Sequence, residues 1–254
     1  MCGVIGYVNF KKNELIKLQN FFNKGINDLA HRGPDDRDKV LFGNKNIALG
    51  HLRLSIQDLS DTGKQPMESK CGRYTIVFNG EIYNHFQLRS EYLPDTKFNG
   101  HSDTETLLEL FSLIGVQTFD KIVGMWAIAI WDTLDNRLFL SRDRMGQKPL
   151  YYIHRQNFFA FSSEIRPLVD LSDRKASTLA VSEYLSTGNY DHLSEDTFFE
   201  GIYQLIPSNY YVLENNGPLN HFQYWKCNFE SKKTKWSANE SVKFRDLVEE
   251  AVCS

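Results

Sequence analysis

The sequence predicts an α+β protein in which stacked antiparallel sheets carry helices on their outer faces. Two observations carry that prediction. Strand-like runs are numerous, short and separated by turn residues, whereas few segments repeat at helical spacing. The run Met125-Trp126-Ala127-Ile128-Ala129-Ile130-Trp131 is apolar on both alternating faces, as a strand must be when packed layers cover it on two sides.

The elements follow in order. Residues 3–10 open the chain as a strand. Leu15, Leu18, Phe22, Ile26 and Leu29 recur at helical spacing, and Gly33-Pro34-Asp35 stops that helix. Strands are predicted over residues 39–42, 47–54 and 74–78, the last ending in Asn79-Gly80, a strong turn signal. Ser102 with Glu105 three residues on makes a capping box before Thr106, Leu107, Leu110 and Phe111, and Gly115 sits where such a helix would end. After the double-faced apolar run, residues 137–141, 150–154 and 158–162 continue as strands. A short helix near 181–185 and strand pieces around Tyr203, 210–213 and 222–225 follow. Residues 230–239 turn polar and basic, and 241–252 resume helical spacing through Phe244, Leu247, Val248 and Ala251. That last apolar stripe reads as the first element of a second domain, or as a helix docking back onto the first. No internal repeat is present.

Bulk properties exclude several classes of function. A net charge of -3 over 254 residues leaves no basic footprint for nucleic acid, and the dense basic stretch 232–235 reads as a solvated linker. Cys2, Cys71, Cys227 and Cys253 show no CxxC spacing, so neither a disulfide framework nor a zinc site is expected, and a reducing cytoplasm is. His31 has no ligand-type partners at metal-binding spacing, and no metal is expected. The apolar start lacks a basic leader, and both it and residues 124–131 are too short to span a bilayer.

The chemistry begins at Met1-Cys2-Gly3. Removal of Met1, which a small second residue permits, would give Cys2 a thiol and a free α-amino group on one residue. An α-amine titrating at about 7.7–8.0 is suited to relaying the thiol proton near neutral pH. The alternative is a small hydrophobe opening a strand. Further segments bear on the choice: His31-Arg32-Gly33-Pro34-Asp35, Arg53-Leu54-Ser55-Ile56, Asn79-Gly80-Glu81-Ile82-Tyr83-Asn84, Ser102-Asp103-Thr104-Glu105, and the run from Arg142-Asp143-Arg144 to Leu150-Tyr151-Tyr152. With Cys2-Gly3, in this order and spacing, they resemble the glutaminase domain of glutamine-hydrolysing asparagine synthetases, from Cys2 to about Trp225.

The resemblance implies an N-terminal-nucleophile hydrolase fold, a four-layer αββα sandwich of two antiparallel sheets. It implies a glutaminase domain over residues 2–226, a linker over 227–240, and over 241–254 the first helix of a synthetase domain. The implied reaction is hydrolysis of L-glutamine to glutamate and ammonia. Cys2 is the implied nucleophile, with Asn79 and Gly80 donating hydrogen bonds to the developing oxyanion. Arg53 would take the substrate α-carboxylate, and Asp103, with Glu81, its α-ammonium. Outside the resemblance, Asn79-Gly80 is a hairpin dipeptide, Arg53 a surface ion-pair partner, and Asp103 a partner of the helix dipole. The 31–35 and 142–152 segments read as structural turns that shape the site wall.

In the complete family, ammonia passes to a domain that uses ATP and Mg to activate aspartate for asparagine formation. The Ser-Gly-Gly-x-Asp-Ser pyrophosphate loop of that domain does not occur here, so no cofactor is expected on this chain. A partner synthetase domain and a homodimer are implied. Two other functions fit the residues: the glutaminase half of an amidotransferase acting on a different acid, and a glutamine-binding homologue without turnover.

Overall fold

The computed structural model describes residues 1–44, 46–56, 60–188, 195–214, 217–228 and 237–253. The basic stretch 232–235 and most of the expected linker lie outside these. Along the chain run β1 (Gly3–Asn9), α1 (Leu15–Asp28), β2 (Asp36–Phe42), β3 (Ile47–Arg53), β4 (Met67–Glu68), β5 (Tyr74–Ile82), α2 (His85–Tyr92), α3 (Asp103–Ile114), α4 (Thr118–Lys121) and β6 (Gly124–Asp132). There follow β7 (Arg137–Arg142), β8 (Tyr151–Arg155), β9 (Phe158–Ser162), α5 (Ile165–Leu168), α6 (Thr178–Thr187), β10 (Tyr203–Gln204), β11 (Asn209–Leu213), β12 (Leu219–Gln223) and α7 (Ala238–Cys253).

The strands form two six-stranded sheets, ordered β10-β8-β9-β1-β3-β2 and β12-β11-β7-β6-β5-β4, in which the strand pairs are antiparallel. Alternation along each strand builds the layers. On β1, Ile5 and Tyr7 pack with Leu18, Phe21 and Phe22 of α1 and Leu168 of α5, while Val4 and Val8 turn inward to Val77, Ala127 and Ala129 of the second sheet. On β6, the outward Trp126, Ile128 and Ile130 meet Leu107, Leu110 and Phe111 of α3, and the inward Ala127, Ala129 and Trp131 meet the first sheet. The expected αββα sandwich of two antiparallel sheets is therefore the observed fold. Each large apolar side chain so buried contributes roughly 1.5–3 kcal/mol.

Two local expectations need correction. Asn79-Gly80 is not a turn: both residues lie within β5, opposite Ala127 and Trp126 of β6. A nine-residue ladder from Tyr74 opposite Asp132 to Ile82 opposite Gly124 outweighs the preference of one dipeptide. Gly80 is required by close approach instead, since a Cβ there would stand 2.1 Å from the Met125 carbonyl oxygen. The capping box is half formed. Ser102 caps α3 by accepting from the Thr104 N–H at 3.1 Å, but Glu105 reaches back past Ser102 to the N–H groups of Asn99 and Gly100.

The predicted terminal helix is α7, beginning at Ala238 inside the range expected for a linker. Its stripe stays exposed, with Phe244 60% and Leu247 63% accessible. Among the described residues no helix is long and apolar enough to cross a membrane.

Candidate active site

Gly3 stands opposite Leu52 in the β1–β3 ladder, so Cys2 lies beside the point where the chain leaves β3. Both ends of Cys2 are anchored. Its sulfur accepts from the Leu54 N–H at 3.3 Å, and its carbonyl accepts from Arg32 Nε at 3.0 Å. The other arm of Arg32 donates to Glu164 at 3.0 Å, and His31 Nε2 meets the same carboxylate oxygen at 2.8 Å. Burial pushes the Glu164 carboxyl up, but the hydrogen bonds from Arg32 and His31 more than offset it and hold it below its ordinary range. The 31–35 segment is thus structural as expected, and it supports Cys2 directly. Gly33 allows this, because a Cβ there would lie 2.2 Å from the Leu52 carbonyl carbon. Asp35 completes the contact by accepting from the Ser55 N–H at 2.8 Å.

Cys2, Arg53, Gly80, Glu81 and Asp103 line a single cavity. Cys2 and Arg53 come from the first sheet, Gly80 and Glu81 from β5 in the second, and Asp103 from the first turn of α3. Residues more than 100 positions apart in sequence meet there because the two sheets part at this end of the sandwich. Asn79 does not line the cavity wall. It is 1% exposed, and its Nδ2 has no hydrogen-bond partner among the described residues.

The edge of β5 explains how donors become available here. β4 pairs with β5 only through Met67 opposite Ile76 and Glu68 opposite Thr75, so the rest of β5 has no strand on that side. Side chains take over from the missing strand. Gln65 Oε1 accepts from the Phe78 N–H at 2.6 Å, His51 Nε2 lies 3.1 Å from the Phe78 carbonyl, and Asp103 Oδ2 accepts from the Ile82 N–H at 2.9 Å. Backbone groups of alternate residues point the same way along a strand. Gly80, midway between Phe78 and Ile82, therefore directs its N–H to this same edge, where it borders the cavity. A backbone donor at a strand edge that borders a cavity is placed where an acceptor of a ligand can meet it.

Ionisation follows burial. The Cys2 thiol is pushed up by burial and by the Glu81 charge, against the Leu54 N–H, the terminal ammonium and Arg53. The Asp103 carboxyl is raised to about 6, chiefly by burial, although the Ile82 and Thr104 N–H groups favour its ionised form. His51 is lowered to about 4 by burial, so at neutral pH it is uncharged and donates from Nε2 to the Phe78 carbonyl. Arg53 is 8% exposed and donates to the Ser60 carbonyl at 3.0 Å.

Sequence reasoning missed His51 and Gln65, which also line the cavity, and gave Thr104, inside one of the quoted motif runs, no role of its own. Nothing local marks His51 and Gln65, because their contacts are to residues further along the chain. The 142–152 segment is a turn organiser, as expected. Asp143, fully buried, accepts from the N–H groups of Trp126, Met145, Gln147 and Lys148.

The sandwich has the layering of a solved amidotransferase. The solved glutamine phosphoribosylpyrophosphate amidotransferase of Bacillus subtilis superposes with a TM-score of 0.64 at 16% identity, over 88% of this chain and 49% of that one. The sequence over residues 1–225 matches the glutamine amidotransferase domain family, and the chain belongs to it. Among its relatives are an asparagine synthetase [glutamine-hydrolyzing] of Bacillus subtilis, 35% identical over 99% of this chain, and a putative one of Methanocaldococcus jannaschii, 36% identical over 86%. The chain spans 41% and 42% of the length of those relatives.

Proposed function

We propose that this chain hydrolyses L-glutamine to glutamate and ammonia with Cys2 as its nucleophile, and supplies the ammonia to a synthetase domain that converts aspartate to asparagine. One observation carries the reading: in a chain of the glutamine amidotransferase family, a thiol, a guanidinium, two carboxylates and a strand-edge N–H share one cavity. An amino-acid substrate offers a matching set of groups. Arg53 suits the α-carboxylate, Asp103 and Glu81 suit the α-ammonium, and the side-chain carboxamide is then brought to the thiol.

The raised thiol pKa means that a thiolate does not form in advance, so a base must take the proton as attack proceeds. The α-amino group of Cys2, freed by removal of Met1, is that base. The sulfur adds to the carboxamide carbon, and negative charge moves to the oxygen, where the Gly80 N–H and Asn79 Nδ2 receive it. The amine returns the proton to the departing nitrogen, ammonia leaves, and water cleaves the thioester to glutamate. The exposed stripe of α7 is the surface such a synthetase domain would cover, and a cytoplasmic location accords with a free catalytic thiol.

Intact-mass analysis after incubation with 6-diazo-5-oxo-norleucine tests the proposal. The expected product has lost Met1 and carries a single adduct, mapped to Cys2. A processed chain that takes no adduct and releases no ammonia from glutamine overturns it.

The Asp103 carboxyl gives a further expectation. Only its ionised form attracts the substrate ammonium, and burial raises its pKa to about 6. Glutamine kcat/KM should therefore show, below the decline set by protonation of the Cys2 α-amine at about 7.7–8.0, a second limb that adds a further tenfold or so per pH unit below about 6. Asp103→Asn should abolish this acid limb and raise KM at every pH. An unchanged limb in the variant would show that another group titrates.

A further inference from the structure

The unpaired edge of β5 carries an inference about a residue so far described only by its contacts. We infer that Gln65 is a positioning residue for the oxyanion site, an inference that rests on the glutaminase reading above. Gln65 touches neither Cys2 nor, on that reading, the reacting carboxamide. It acts through the Phe78 peptide.

Gln65 is buried, at 7% exposure, and both ends of its amide are used. Oε1 accepts from the Phe78 N–H at 2.6 Å, and Nε2 donates to Thr104 Oγ1 at 3.1 Å. Phe78 directly precedes Asn79 and Gly80, while Thr104 directly follows Asp103. One side chain therefore ties the strand that carries the oxyanion donors to the helix turn that carries the ammonium-binding carboxylate. The tie falls where β4 no longer pairs with β5, so β6 holds the strand on one edge and side chains alone hold it on the other. His51 holds the Phe78 carbonyl at 3.1 Å from the first sheet, and it lines the cavity beside Cys2. With the Phe78 N–H and C=O both held, the peptide units on either side of the Phe78 Cα are fixed, and the strand enters Asn79 and Gly80 from a set position.

The geometry also predicts which half of the amide matters more. The Phe78 N–H needs an acceptor, and a carboxylate serves as well as an amide oxygen. Thr104 Oγ1 can donate to a carboxylate in place of accepting from an amide. A glutamate at position 65 keeps both contacts, whereas a methionine of similar length keeps neither.

The test uses the chain with Met1 removed, confirmed by intact mass, and measures ammonia release against glutamine concentration. Gln65→Met should lower kcat about ten- to a hundredfold, as a misplaced oxyanion donor does, with KM within about twofold of the parent. Gln65→Glu should recover most of the lost kcat. Should Gln65→Met not fold, Gln65→Asn, whose shorter amide cannot span Phe78 and Thr104, is read by the same split. An unchanged kcat in a folded variant that has lost the acceptor overturns the inference, and so does a loss confined to KM. A parent chain that releases no ammonia overturns the glutaminase reading itself, and this inference falls with it. A parent that turns over beside an unaffected Gln65→Met overturns the inference alone.

Discussion

Cys2→Ala is expected to reduce ammonia release from glutamine by on the order of 10⁴-fold or more, since no other group in the cavity can form the thioester. Of the three cysteines shown free, only Cys2 lines that cavity; Cys71 and Cys227 are exposed. Glutamine binding should survive, because the contacts assigned to the α-carboxylate and α-ammonium belong to Arg53, Glu81 and Asp103. Folding should survive too, as among the described residues the sulfur's hydrogen bonds are those with the Leu54 main chain, at 3.3 and 3.5 Å. An ammonia assay beside glutamine titration calorimetry checks both statements. Residual turnover near the parent rate would remove Cys2 from the mechanism and leave a binding domain with some other chemistry.

Asn79→Leu is expected to lower kcat about 10²–10³-fold, the usual cost of one oxyanion donor. The accompanying stability change makes this test unusually sharp. Asn79 Nδ2 is buried without a partner among the described residues, so leucine, of similar size, removes a donor that carries a burial cost and makes no hydrogen bond of its own there. Removing an unsatisfied buried polar group is neutral or stabilising for the fold. A thermal melt should show the midpoint unchanged or raised while kcat collapses, the pattern of a residue retained for chemistry. A lowered midpoint with kcat intact would mean that Asn79 supports the strand and that Gly80 acts without it.

Much of the architecture was legible from periodicity. The two apolar faces of residues 125–131 required a strand between packed layers, and Leu18, Phe22 and Leu29 required a helix on one of them, because burial of those side chains is the dominant favourable term. The short helix α2 was not legible. His85-Phe86-Gln87-Leu88-Arg89-Ser90-Glu91-Tyr92 buries only His85 and Leu88, too few positions to mark a helical face. Asn79-Gly80 was misread as a turn for a related reason, since dipeptide preference is local whereas pairing with β6 is not.

The same division runs through the site. The order and spacing of its motifs marked Cys2, Arg53, Asn79, Gly80, Glu81 and Asp103, and the fold brings five of them to one cavity with Asn79 adjoining. Sequence could not disclose that Arg32 holds the Cys2 carbonyl across 30 positions, or that Gln65 and His51 hold the N–H and the carbonyl of Phe78. The sequence by itself determined the layered α+β class, the family resemblance and the candidate site residues, because apolar periodicity and residue chemistry are properties of the chain alone. Only the tertiary structure decided which backbone donors are left unpaired and which side chains hold them in place. Those depend on where β4 ends beside β5 and where the two sheets part, and such boundaries exist only once distant segments have packed.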